Sequence, residues 1–293
     1  MRKIRVGSRD SKLAVAQTEL MLEEIRKKHP EIEFELITMK TTGDKILDRN
    51  LDQIGGKGLF VKELDKALMD KRVDLTIHSL KDLPMEISDE IPLVGFSKRE
   101  DPRDVLIMAK GSNAEDIRGY IGTSSRRRMV QLEKIYPNAS FRGIRGNVQT
   151  RLRKLEQEDY EATVLARAGL CRLQMEQCAS RIFSTEEMIP AAGQGILAIQ
   201  GRKGEDYSFL DDVCSEESRI IAKAERAFVK YLDGGCSSPI AAFAEIKEEE
   251  LTLRGLYYHE EAKDYSVGTK VGAINDAEEI GQELAKELLA QWM

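Results

Sequence analysis

The chain is sparing with the residues that staple or anchor a protein. Four cysteines, Cys171, Cys178, Cys214 and Cys236, are scattered over 293 residues with no CxxC pair. That spread argues against a disulfide framework or a zinc cluster, and three of the four read as structural thiols. The histidines, His29, His78 and His259, stand far apart, so a histidine-based metal site has little support and we expect no metal. No apolar run approaches the length needed to cross a bilayer. The opening MRKIRVGSRDSKLAV enters a strand-like run without the apolar core or small-residue cleavage site of an export signal, so a cytoplasmic protein is expected. There is no short-period repeat and no low-complexity tract. Positive charge is not in excess either. The net charge of −6 speaks against general binding to nucleic acid or to an anionic membrane surface.

What is present is a globular composition, 41% apolar and 33% charged, long enough for two or three domains. Its positive charge is gathered into one stretch, IGTSSRRRMVQLEKIYPNASFRGIRGNVQTR (121–151). Arg126, Arg127, Arg128, Lys134, Arg142, Arg145 and Arg151 stand there against one acidic residue, Glu133. Gly, Ser, Thr and Asn between the arginines free backbone N–H groups and build helix N-termini. Guanidinium forks, hydroxyls and oriented amides together make a site for several carboxylates or phosphates. A solvated basic helix face is the plainer alternative. The stretch holds only Tyr136 and Phe141 as aromatics, too few for stacking on nucleic-acid bases.

The apolar pattern predicts a strand at 3–6, a helix over 11–28 ended by His29-Pro30, a strand at 33–39, a helix over 60–69 and a strand at 73–78. Residues 41–58 form a long polar, glycine-bearing connection, read either as a mobile lid or as an insertion. The rhythm restarts with strands at 105–108 and 121, a helix over 124–135, a strand at 140–141, a helix over 147–156 and a strand at 162–166. Two α/β domains joined near 96–102 and 189–197 would enclose a cleft. After a helix over 215–231, strands at 239–246, 251–258 and 265–271 and a helix over 276–292 predict a small α+β domain with an antiparallel sheet.

Two further segments point to chemistry. HSLKDLP offers Lys81 and Asp82 at the end of a strand, as acid, base or cation stabiliser, or merely as a surface ion pair. LDGGCSSP puts Cys236 on a tight turn, where it could be a nucleophile, an attachment point or a small turn residue. The residues alone favour the last, since no histidine or lysine adjoins Cys236 in sequence.

Taken in order, GSRDSKLA, GGKGLFVKEL, HSLKDLP, IGTSSRRR, RGNVQTRL, PAAGQGILAI and GGCSSP resemble the porphobilinogen deaminase (hydroxymethylbilane synthase) family over essentially the whole chain. The resemblance implies two domains like the type II periplasmic binding proteins around a cleft, plus a small α+β domain with a three-stranded antiparallel sheet. These would be 1–97 with 196–214, 101–190 and 217–293. It implies a monomeric transferase with a dipyrromethane cofactor held through a thioether to Cys236. That enzyme condenses four porphobilinogen molecules head to tail, with loss of ammonia, and hydrolyses off the linear tetrapyrrole.

Each pyrrole bears an acetate and a propionate, so the growing chain is a polycarboxylate. Matched motif by motif, Arg9, Lys81, Arg127, Arg128, Arg145, Arg151 and Arg172 would bind its carboxylates. Arg127 and Arg128 would anchor the cofactor, while Arg9 and Arg151 would receive substrate. Ser79, Thr123, Ser125 and Gly146 would add hydroxyl or amide contacts, and Gln194 joins the substrate set. Asp82, with Lys81 and Arg9 beside it, matches the catalytic aspartate that holds pyrrole N–H groups and stabilises the cationic azafulvene. Lys57 and Phe60 fall at the end of the loop that matches the family's active-site lid and join the substrate-binding set. Arg126, Arg167 and Gln200 depart from the family's usual residues. A non-catalytic bilobal anion-binding or sensor protein would use the same arginines without needing Cys236 or Asp82.

Overall fold

The computed structural model describes residues 2–41, 61–235 and 238–292. Residues Met1–Arg99 with Ile196–Arg219 form one compact unit, and Glu100–Gly195 with Ile220–Met293 form another.

The first unit is built on β1 (Arg2–Arg9), α1 (Lys12–Lys28), β2 (Ile32–Met39), α2 (Lys62–Met69), β3 (Leu75–Ser79), β4 (Leu93–Phe96) and a later strand, here β10 (Leu197–Gly201). Its sheet has the order β2-β1-β3-β10-β4. The first three strands are parallel, and β10 enters antiparallel between β3 and β4. Helix α1 forms because Ser11 caps it, its side chain accepting from the Ala14 N–H. Arg26, Lys27 and Lys28 in its last turn oppose the macrodipole's negative end. Its Met21, Leu22 and Ile25 pack on Ile4, Val6, Leu75, Ile77 and Ile199. Ala67, Leu68 and Val73 make a second cluster with Ile37 and Met39. As central strands of the sheet, β10 is buried along its whole length and β3 at all but its last residue.

The second unit repeats the plan with β5 (Asp104–Met108), β6 (Tyr120–Gly122), α3 (Arg126–Ile135), β7 (Ser140–Arg142), α4 (Val148–Gln157), β8 (Ala162–Ala166), α5 (Arg167–Arg172) and β9 (Arg181–Ile182). The order is β7-β6-β8-β5-β9, with β5 antiparallel to both its neighbours. In each five-stranded sheet the fourth strand in the order, β10 in the first and β5 in the second, runs antiparallel to both its neighbours. The same unit carries the antiparallel sheet of β11 (Ala241–Lys247), β12 (Glu250–His259) and β13 (Asp264–Ala273), backed by α6 (Glu216–Tyr231) and α7 (Ala277–Ala290).

Helices α6 and α7 approach backbone to backbone at Gly281. A Cβ there would fall on the Ala224 carbonyl and 2.9 Å from the Phe228 nitrogen, neither of which can rotate away. We therefore expect Gly281→Ala to cost about 1–3 kcal/mol through overpacking. A urea midpoint lowered at unchanged slope is the outcome to look for, and an unchanged midpoint would refute the close approach.

Candidate active site

In an open α/β sheet, side chains that meet a ligand cluster beyond the carboxyl ends of the parallel strands. In the first unit those ends carry Arg9 and the HSLKDLP segment. Strand β1 ends at Arg9, and β3 pairs with it at Val6–Leu75 and Gly7–Thr76. Two residues further in that register set Arg9 beside His78, whose imidazole feels the arginine's charge.

After β3 the chain makes one 3-10 turn, Leu80–Asp82. Leu80 and Leu83 are the buried anchors of this turn, and the Leu80 N–H donates to the Ile196 carbonyl at 3.0 Å. Lys81 and Asp82, set between the anchors, stay half-buried. Ser79 is positioned as well, its hydroxyl accepting from the buried Gln17 amide at 3.1 Å.

In the second unit the loops after β6, β7 and β8 carry the expected cations. Strand β6 leads to Thr123, a buried residue whose N–H donates to the Arg142 carbonyl and whose hydroxyl accepts from the Ser125 N–H. Ser125 occupies the N-cap of α3 without making a side-chain capping bond. Arg127 and Arg128 then turn inward to Asp104, the fully buried first residue of β5. Arg127 donates to its Oδ2 at 2.8 Å and to the Ile189 carbonyl at 2.6 Å. Arg128 donates to Oδ1 through Nη2 at 2.7 Å and Nε at 3.2 Å, and to the Val164 carbonyl at 2.9 Å. Burial alone would raise the Asp104 carboxyl, but the two guanidiniums hold it well below the usual carboxylate range. Two guanidiniums against one carboxylate leave a single positive charge in surplus.

Strand β7 leads to Arg145, Gly146 and Arg151. Gly146 adopts φ 112°, and a Cβ there would meet the Thr150 side chain. Its carbonyl accepts from Arg151 Nε at 2.9 Å, while Asn147 caps α4 through the Thr150 N–H. The Arg145 Nε is buried with no partner among the described residues. Strand β8 leads through α5 to Arg172, which donates to the Gly195 carbonyl; burial draws its guanidinium down to about 10. Gln194, buried between Gly193 and Gly195, donates to the Pro102 carbonyl and to Asp104. The surplus charge and the orphaned Arg145 nitrogen both suit an acidic ligand.

Three residues that departed from the expected pattern take other work. Arg126 pairs with Glu260 at 2.7 Å, and Arg167 with Asp101 at 3.0 Å. Buried Gln200 donates to the Ile91 carbonyl. Cys236, Lys57 and Phe60, and residues 42–58 of the expected lid, lie outside the described residues. No sequence expectation falls on Asp104 or Gln17. The sequence signal for Asp104 is weak, an acid directly before the apolar run of β5. Among the described residues no group of His, Cys, Asp and Glu could hold a metal ion, and no helix is long and apolar enough to cross a membrane.

Residues 4–209 match the family model described as porphobilinogen deaminase, dipyromethane cofactor binding domain, and residues 220–290 the model of its C-terminal domain. The chain is 55% identical over 287 residues to the porphobilinogen deaminase of Acetivibrio thermocellus, covering 98% of both chains. It is 53% identical over 288 residues to that of Ruminiclostridium cellulolyticum, again covering 98% of each. Among solved structures it is similar to the periplasmic aliphatic sulphonate binding protein SsuA from Escherichia coli, at TM-score 0.42 and 9% identity, over 80% of this chain and 71% of that one.

His78 gives the site strand a pH dependence. Its burial, and then the charge of Arg9, lower the imidazole from 6.5 to about 4, while its Nε2 lies 2.8 Å from the Thr76 hydroxyl. The unfolded chain therefore binds the extra proton between those values. The stability tied to neutral His78 is present above pH ~6.5 and is lost as pH falls toward ~4, about 3 kcal/mol in all. Urea unfolding at several pH values should show a shallower acid decline in His78→Gln than in the parent chain. Parallel declines would show that His78 binds its proton equally in both states.

Proposed function

The chain belongs to the porphobilinogen deaminase family, and from that premise we propose how its residues divide the work of the reaction. The reaction joins four porphobilinogen molecules head to tail with loss of ammonia and releases the linear tetrapyrrole hydroxymethylbilane by hydrolysis. The enzyme is a transferase of tetrapyrrole biosynthesis. When bound, the dipyrromethane cofactor supplies the primer to which the first unit is joined.

The chain's own residues supply orientation and charge. Cys236 carries the primer through a thioether. Arg127, Arg128 and Arg145 grip its carboxylates, with Ser79, Thr123, Ser125, Lys81 and the Gly146 amide adding bonds. Arg9, Arg151, Arg172 and Gln194 take the incoming substrate's carboxylates, with Lys57 and Phe60 in the same substrate-binding set. Asp82 accepts from pyrrole N–H groups and offsets the positive charge that develops as ammonia departs. The observation that carries this reading is the arginines following all three parallel strands of the second unit. A polycarboxylate needs such repeated cations, and a single small anion does not.

We also read the three domains as 1–97 with 196–214, 101–190 and 217–293, and the protein as a cytoplasmic monomer that binds no nucleic acid. The free thiols of Cys171, Cys178 and Cys214 are at home in a reducing compartment. An anion sensor would need neither a half-buried Asp82 wedged between two leucine anchors nor a covalent primer.

Two measurements test the reading. Intact mass and peptide mapping should place a dipyrrole adduct on the peptide that contains Cys236, and Cys236→Ser should lack it. Active enzyme with that peptide unmodified would exclude the attachment. Asp82→Asn should fold and keep the adduct while losing about 3–4 kcal/mol of transition-state stabilisation, roughly two to three powers of ten in turnover. Near-normal turnover would remove Asp82 from the chemistry.

A further inference from the structure

We infer that Asp104 is the positioning residue of the arginine pair, a buried carboxylate that aims Arg127 and Arg128 at an acidic ligand and does not merely neutralise them. The inference rests on the reading above that these arginines grip the primer.

The arginines begin from an unfavourable place. They stand in the first turn of α3, which has no acidic residue, at the end where the macrodipole already leaves positive potential. Both are also buried, 4% and 7% exposed, so water compensates little of their charge. Asp104 supplies the missing counter-charge from a different element, the opening of β5, where it pairs with Ala166 in the sheet and the Phe183 N–H donates to its carbonyl.

The two oxygens are divided between the guanidiniums, Oδ2 taking Arg127 and Oδ1 taking Arg128 through two nitrogens. The Gln194 amide, 3.0 Å away, fixes Oδ1 in turn. The remaining terminal nitrogen of each arginine is held on a main-chain carbonyl, that of Ile189 or Val164. Both planar groups are therefore fixed in orientation, while the cluster keeps its surplus positive charge.

Charge and orientation make opposite forecasts. If only charge mattered, Asp104→Asn would add a second uncompensated positive charge and speed capture of an acidic primer. If orientation matters, the same change frees both guanidiniums and slows it. The experiment uses full-length apo-protein made in a host unable to form porphobilinogen. Intact mass then follows how fast the adduct appears on adding porphobilinogen, and circular dichroism and urea unfolding report the fold.

We expect Asp104→Asn to load roughly 30-fold more slowly or worse, the loss that opening one side of a buried hydrogen-bonded charge pair brings. Asp104→Glu, which keeps the charge but moves it by one methylene, should also load slowly while folded. Either variant folded and loading at the parent rate, or faster, overturns the inference. Failure of both to fold also overturns it, since Asp104 would then serve folding alone. A parent chain that acquires no adduct, or an Arg128→Met variant that loads normally, would instead defeat the reading of the primer site on which this rests.

Discussion

Much of the second unit is organised around one buried carboxylate. Asp104 takes the side chains of Arg127, Arg128 and Gln194, drawn from the first turn of α3 and from the glycine-rich segment 190–195. The same arginines reach the carbonyls of Ile189 and Val164, so one cluster ties helix α3, strands β5 and β8, and that segment together. A cluster of this kind is a poor source of net stability, because desolvating three charges offsets most of their attraction. It is a strong source of definition, because removing one member leaves an uncompensated buried charge at about 3–5 kcal/mol. The geometry of the arginines is thereby fixed before any ligand arrives, and preorganised charge makes an electrostatic site effective.

A second buried carboxylate works beside the first. Glu225 on α6 is fully buried, accepting from the Gly193 N–H at 2.6 Å and the Ala244 N–H at 2.7 Å. The turn that presents Gln194 to Asp104 is thus pinned from the helix that leads toward Cys236 and from strand β11. Gly193 and Gly195 both have positive φ, 73° and 93°. The bend that turns Gln194 inward needs residues without a Cβ on either side. The first unit reaches the same end with apolar anchors: buried Leu80 and Leu83 fix the turn, and Lys81 and Asp82 are what that turn leaves partly open.

Much of this was legible in the sequence because the local signals agree with the fold. Ser11 before a helical apolar pattern, His29-Pro30 after it, and alternation at 33–39 lead to α1 and β2 nearly residue for residue. The C-terminal strands were equally plain, since β13 is half-exposed and carries its own alternation. Strand β10 was not legible as a strand. It is five buried residues after a glycine-rich turn, and its partners, β3 and β4, lie about a hundred residues earlier in the chain. Strand β9, two residues long, and the short helix α5 offered no period to read. The cationic residues of the site announced themselves by type and clustering. Asp104 did not, because a single aspartate before an apolar run is also what a turn looks like.

The run Arg126-Arg127-Arg128 shows why a charge cluster cannot be read as one feature. Successive residues on a helix point about 100° apart, so three adjacent arginines cannot share one task. Arg127 and Arg128 go inward to Asp104, whereas Arg126 reaches Glu260 in the β12–β13 turn and lies over the Tyr258 ring. Four residues on, Val130 is buried against Ile189, Ala241 and Leu256. Four further on, Lys134 pairs with Asp264 at 2.9 Å and sits 3.8 Å from the Tyr265 ring centre. Arg126, Val130 and Lys134 thus form one stripe at i, i+4 and i+8, the spacing of a helix face that docks. Exposed ion pairs of this kind contribute only about 0–1 kcal/mol each, so the buried Val130 provides most of the attachment and the charges set its register. One face of α3 is therefore given to holding the C-terminal sheet while the adjoining face holds the arginine pair. Any shift of that sheet along α3 would be felt directly by the Arg127–Arg128 pair.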